Sequence, residues 1–504
     1  VAAAGLVALG VGACRAPAEM PSPLRIGVPW EVDTLDPHAR NSASHFAIAS
    51  QVYEPLVTAD EHMKLRPALA RSRETPDAST WVFHLRDDVR FHSGRKLGAG
   101  DVVHTLRRLR RGGRGLEMGA YAFHVADVEA IGPLTVRLRT TRPLSVLLNK
   151  LRFVMIVPET AAEGELSTRV DGTGPYALAA FEPGQRVLLR RHAEHWAGPA
   201  AAEVVEFKFG RDPQRAASDL LAGLADLVQC DSRAALARLA ADPGLRTARQ
   251  PSLFLKYLGF DMARPRTPFV DADSNPFRDL RVRQALHVGI DREAIVAGLD
   301  NEAVPAGQPV PPAIFGFNPG IPVPRVDRAR ARRLLAGSGF PHLRVVMHTR
   351  RLMEQGAQRL AEQLHELGLE VELQVLADVD FLERARRRDL SLFASRFGAP
   401  TGDASDILDT ALHSHDPERL MGLGNYGGYS NPAVDQAIEE SAGIDLLDER
   451  RAALARVMAM AMEDVAWVPL YVDQDVFAFR STLDWRPRAD GFVLAAEVRR
   501  SSVP

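Results

Sequence analysis

The sequence predicts a multi-domain α/β protein, and three observations carry that reading. Between His342 and Ser395, strand-like and helix-like segments alternate as β-α-β-α-β, the pattern of a sheet with crossover helices. The 504 residues correspond to about three domains at roughly 150 residues each, too many for one compact core. The composition, 46% apolar and 25% charged, is that of an ordinary folded chain rather than a disordered or polytopic membrane one. Lys plus Arg number 62 and Asp plus Glu 64, for a net charge of −2, so the basic footprint that phosphate backbones demand is missing. No nucleic-acid partner is expected.

In chain order, Val1 to Ala13 is an uncharged run of Ala, Val, Leu and Gly that stops at Cys14. It is too short to span a bilayer, which takes about 20 residues, but has the length of a secretory signal core, about 7–15 residues. Gly12 and Ala13 before Cys14 resemble a lipobox, which implies cleavage there and a lipid on Cys14; no Lys or Arg precedes the run, a departure from the usual signal. Residues 14–23, rich in Ala and Pro, read as a tether. Leu24–Val28 alternates as a strand and leads into the polar loop Glu31–Pro37. Trp81, Phe83 and Leu85 share one face of a half-buried strand, and Asp101 is expected to cap a helix whose buried stripe is Val102, Leu106 and Leu109. Gly172-Thr-Gly-Pro-Tyr176 reads as a sharp, restricted turn and, lacking a helix start behind it, not as a phosphate loop. The later alternation places strands at Leu343–Met347, Leu369–Leu376 and Leu390–Ala394, with helices near Gly356–Leu367 and Asp380–Arg388 between them. Trp467–Asp473 and Val476–Phe479 return to strands.

Little in the chain points to bond-making chemistry. Cys14 and Cys230 are too few for a disulfide framework or a zinc site, and Cys230, at the end of an apolar strand, reads as a buried thiol. No Gly-x-Ser-x-Gly elbow occurs. His192 with His195 and His413 with His415 lack the H-E-x-x-H order of a zinc protease and read as surface or capping residues, and Arg386–Arg388 reads as a solvated cluster favoured by a helix C-terminus. No catalytic residue, metal or cofactor is expected.

Taken together, the segments resemble the family 5 extracellular solute-binding proteins of ABC importers, the group of peptide and nickel binders. The residues that carry the likeness are Thr34-Leu-Asp-Pro37, Val52–Val57, Trp81–Gly94 with Asp101–Val103, Gly172–Tyr176 and His195-Trp196. Asn275–Leu286, Gly289–Glu293 and Ala331–Phe340 continue it in the same order. The resemblance implies a periplasmic-binding-protein-like α/β body of two lobes with a hinge and an extra small domain. The first lobe would be residues 24–53 with 172–257 and 470–504, the small domain 54–171 and the second lobe 258–469. A peptide or small polar solute would be held between the lobes and passed to permease subunits by a monomer. It would work in the periplasm or at the outer face of the cytoplasmic membrane, anchored through Cys14. The likeness places Thr34, Arg350 or Arg351, Arg396, Phe397 and Asp403 at the ligand. Where many peptide-binding relatives carry an Asp for the ligand's amino group, this chain has Pro400, so either Asp403 takes over that pairing or the cargo has no free amino terminus. A nickel chelate, a sugar derivative or an opine is the alternative cargo, and a ligand sensor without transport the alternative role.

Overall fold

Apolar runs rich in Val, Leu, Ile and Phe form the strands of one large mixed sheet. The computed structural model describes residues 22–501 except 113–115, 163 and 341. Along the chain the strands are β1 (Leu24–Gly27), β2 (Tyr176–Glu182), β3 (Arg186–Arg191), β4 (Val204–Lys208), β5 (Leu227–Gln229), β6 (Leu245–Phe260), β7 (Leu343–Arg350), β8 (Leu369–Leu376), β9 (Leu392–Gly398) and β10 (Val468–Arg480). Their spatial order is β8-β7-β9-β6-β10-β5-β1-β4-β3-β2, and the short strand Ala303–Pro305 pairs with β10 outside that path. In one half β1 runs parallel to β4 and β5. In the other, β7 runs parallel to β8 and β9.

Only β6 and β10 belong to both halves. Their antiparallel ladder pairs Leu245–Pro251 with Gln474–Arg480 in the first half and Leu255–Leu258 with Val468–Val472 in the second. The register shifts between Pro251 and Leu255. Proline has no amide hydrogen for a ladder, and a shift of this kind bends and twists a strand, so the long pair is weakest where the halves meet.

The core follows the strand period of two. Leu255 and Tyr257 belong to one apolar cluster with Phe381, Phe393 and Leu408, whereas Leu258 and Phe260 belong to another with Val345, Met347 and Leu360. Odd and even positions therefore cover opposite faces of the second half. In the first half one continuous cluster joins Ile26, Phe207 and Phe477 to Phe83 and Val136 of a separate four-stranded antiparallel sheet. That sheet consists of Ala70–Asp77, Thr80–Leu85, Thr135–Thr140 and Val125–Gly132 in spatial order.

Three local expectations are refined. The helix expected from Asp101 begins earlier, over Ala99–Arg111; Asp101 is its third residue, and its carboxylate accepts the Gly98 N–H at 2.8 Å while also pairing with Arg95. It serves the helix start from inside, as a capping-box acid does. Val102, Leu106 and Leu109 are buried as their spacing predicts. In Gly172-Thr-Gly-Pro-Tyr176 the glycines are needed for close approach: an added Cβ would fall 1.9 Å from the Val52 carbonyl oxygen at Gly172 and 2.6 Å from the Val52 carbonyl carbon at Gly174. Finally, the two strands expected near the C-terminus are one, Val468–Arg480. The lipid-anchor and tether expectations at Cys14 and residues 14–21 lie outside the described residues.

Candidate functional site

In an α/β sheet, loops at the carboxyl ends of parallel strands carry ligand contacts, because their backbone groups and side chains are not used up by the sheet. Here the two halves present those ends to one another. β7, β8 and β9 finish at Arg350, Leu376 and Gly398, with Gly398 opposite Phe254 on β6. β5 finishes at Gln229 opposite Phe477, next to Asp231. Between them run the middle of β6 and the segment Asp473–Asp475 of β10.

Three cations gather on the second-half side. Lys256, in the otherwise apolar run Leu253–Phe260, is 3% exposed and pairs with Asp473 at 2.5 Å. Burial pulls its ammonium below the ordinary value and Asp473 opposes the fall. Arg350 makes a two-pronged pair with Asp378, Nε reaching Oδ1 at 3.2 Å. Arg396 has no carboxylate partner among the described residues; its guanidinium lies 5.0 Å from the centre of the Phe254 ring. Burial first, then repulsion from Arg350, lowers the Arg396 pKa, while Asp378 and Asp473 counter this from a distance. An incoming anion would relieve both effects.

Carboxylates gather on the other side. Asp475 is pushed up to about 7 by burial and by the charges of Asp473 and Asp231. Asp231 is raised as well, chiefly by burial. The site thus has a basic wall, an acidic wall and a Lys256–Asp473 pair on its floor.

The expected site residues divide accordingly. Arg350 and Arg396 come together, with Phe397 beside them packed against Trp467 at 5.9 Å, while Trp467 in turn stacks on Tyr257 at 3.8 Å. Arg351 is exposed in the short helical turn after β7, with no ion-pair partner among the described residues. Thr34 accepts the Asp36 N–H at 3.2 Å and so shapes its own loop. The neighbouring Asp36 forms a buried pair with Arg108 at 2.7 Å, which gives Thr34-Leu-Asp-Pro37 a structural role.

Asp403 does not join the group. It is 2% exposed, and Arg450 holds both its oxygens, at 2.5 and 2.9 Å. Ser405 donates to it through backbone and hydroxyl at 3.0 and 2.7 Å. Its acceptor capacity is spent, so the expectation that it could pair a ligand amine in place of Pro400 is not met. The nearby Asp406 receives the Thr401 N–H at 2.8 Å.

Of the paired histidines, His195 contacts Glu54 at 3.1 Å, His413 contacts Glu439 at 3.0 Å and His415 contacts the Gly422 carbonyl at 3.1 Å, while His192 packs edge-on against His92 with ring centres 4.9 Å apart. Cys230 is buried, its thiol pushed up to about 11 by burial. Lys256, Asp378, Asp473 and Asp475 were not singled out from the sequence. The usable signal was a charge inside an apolar strand, Leu255-Lys-Tyr257 and Val472-Asp-Gln-Asp-Val476, because buried charge is retained only where it has a partner or a task.

Two α/β halves joined by a pair of shared strands, with charged groups converging where the halves meet, are an arrangement in which small polar solutes are commonly held. Comparisons agree. The sequence profile of the bacterial extracellular solute-binding proteins, family 5 Middle, matches residues 64–418. The heme-binding protein A of Haemophilus influenzae is 24% identical over 468 residues, covering 85% of this chain and 82% of that protein. The glutathione-binding protein GsiB of Escherichia coli K12 is 25% identical over 502 residues, covering 95% of each. The solved structure of HbpA2 from Haemophilus parasuis superposes with a TM-score of 0.84 at 21% identity, covering 95% of this chain and 100% of that one. The chain belongs to family 5 of the bacterial extracellular solute-binding proteins.

Proposed function

We propose that the protein is the extracytoplasmic binding component of an ABC importer, taking up a small peptide-class solute that carries a carboxylate and handing it unaltered to permease subunits. The observation that carries this reading is Arg396, a guanidinium at the carboxyl end of a strand that lies over the Phe254 ring, is open to an incoming ligand and has no carboxylate partner among the described residues. A guanidinium suits bidentate capture of a carboxylate. The relative named for binding glutathione, an anionic tripeptide, supports the same class. Pro400 and the engaged Asp403 leave that loop without a free carboxylate at either position, which favours cargo whose amino group is blocked or is held by the acidic wall of Asp231 and Asp475.

In this reading residues 24–53, 172–257 and 470–504 form the first lobe, 54–171 the small domain and 258–469 the second lobe. The lobes close on cargo because the closed form adds contacts the open form lacks. The protein acts as a monomer held outside the cytoplasmic membrane by a lipid on Cys14. Labelled palmitate incorporated by the wild type and lost in Cys14→Ala tests the anchor.

Native mass spectrometry of the untagged protein identifies co-purified solutes, and calorimetry with them, with glutathione and with free and amino-acetylated tripeptides ranks the cargo. Arg396→Ala is expected to weaken the best solute by about 2 kcal/mol or more, roughly thirtyfold, with folding unchanged. Unaltered affinity in this variant would sink the carboxylate reading.

A further inference from the structure

A second roomy space lies away from Arg396. A cavity of about 930 Å³ lies between the four-stranded antiparallel module and the second half of the main sheet. On the module side it is walled by the Val57–Pro67 hairpin with Arg73 and Trp81, and on the other by Pro312–Phe315, Gly402 and the first turn of the helix Leu447–Glu463. The seam is held by Asn149 Nδ2 donating to the Thr401 carbonyl at 3.0 Å, the Ser145 N–H donating to the Ala442 carbonyl at 3.2 Å, and Arg142 reaching Met421 Sδ at 3.6 Å and Asp409 at 3.8 Å. None of the residues lining the cavity belongs to the Arg350, Arg396 and Lys256 group.

The walls have a definite chemistry. Ile314, Phe315, Trp81 and Leu148 supply apolar surface, and Leu447, 67% exposed, stands at the rim. Burying an apolar group there would cover a leucine that the fold leaves in water. The charges are unbalanced. Arg66 is neutralised by Asp60 and Arg450 by Asp403, but Lys64, Arg73 and Arg451 have no carboxylate partner among the described residues. Arg451 instead lies 4.7 Å from the centre of the Phe315 ring. Against these three cations stands Asp445, the one lining carboxylate that is neither paired nor buried.

We infer that this cavity is a second binding site, for an amphiphilic organic anion whose apolar body packs on Phe315, Ile314 and Leu447 and whose acidic head meets Lys64 and Arg451. Its volume falls in the range of small-molecule sites, about 300–1,000 Å³. An occupant touches both the module and the second half of the sheet, so it strengthens their contact and favours whichever arrangement of the two keeps both walls in reach.

The probe is 8-anilinonaphthalene-1-sulfonate, an aromatic anion that fluoresces on leaving water. One molecule is expected to bind per chain. Affinity is expected to fall at least about tenfold, equivalent to roughly 1.4 kcal/mol, in the double variant Lys64→Glu with Arg451→Glu. It should be unchanged in Arg330→Glu, a charge reversal at an exposed arginine that lines neither the cavity nor the Arg396 site. Lys64 and Arg451 are both exposed, and the milder pair Lys64→Gln with Arg451→Gln, which removes charge without reversing it, is expected to show a smaller loss in the same direction. Circular dichroism melting curves confirm that each variant is folded. Unchanged affinity in the folded double variants, or an equal loss in Arg330→Glu, overturns the proposal.

Discussion

Two carboxylates described above behave in opposite ways, and each yields a prediction. Asp403 and Arg450, 2% and 4% exposed, form a buried pair whose members depend on each other. Asp403→Ala leaves Arg450 charged and unpaired and is expected to lower stability by about 3–5 kcal/mol, whereas Asp403→Ala combined with Arg450→Met recovers much of the loss. Urea unfolding of the three proteins measures it, and equal losses in single and double variants would argue against the pair. Asp475 is held up at about 7 against an ordinary 3.8. Between those values the folded protein keeps a proton that the unfolded chain has released, so this group makes stability fall as pH rises from about 4 to about 7. Asp475→Asn is expected to remove that slope, raising the urea midpoint at pH 8 more than at pH 5. At this scale the sequence was partly legible. Arg350 and Arg396 were reached through the likeness to relatives, but Lys256 and Asp473 were not, because a charge is read as buried only once the strand around it is known to be central.

The glycines of Gly172–Tyr176 show why element boundaries and roles blur in a sequence. The motif was legible as a constraint, but the constraint is the carbonyl of Val52, more than a hundred positions earlier, which no local pattern reveals. Gly174→Ala must push that backbone aside and is expected to destabilise by about 1–3 kcal/mol, read as a lower melting temperature. Ala introduced at Gly337, where an added Cβ meets nothing within 4 Å, serves as the control. Strand periodicity fared better. Trp81, Phe83 and Leu85 are 6%, 0% and 1% exposed, and Leu369–Leu376 has the bounds its pattern predicts, since one dry face and one wet face leave a period of two. Helix bounds are less legible: Asp101, expected before its helix, lies in the first turn of Ala99–Arg111, and the helix expected near Asp380–Arg388 spans Asp378–Arg386.

For the molecule as a whole, the α/β class followed from the alternation between His342 and Ser395, but nothing local could show that β1 and β10, more than 400 residues apart, share a sheet. That closure is a matter of long-range pairing, and only the resemblance to relatives supplied it. It also fixes how the second half is wired. The polypeptide enters along β6 and leaves along β10, with Tyr257 opposite Pro469 and Leu258 opposite Val468, so its two ends are neighbours. A segment whose ends nearly touch is a cassette: residues 258–469 could be cut out at that doorway and replaced by the corresponding stretch of a relative without re-routing the rest of the chain. Such an exchange would carry the basic wall with it and leave the acidic one behind, a natural route by which descendants of one scaffold could trade tastes.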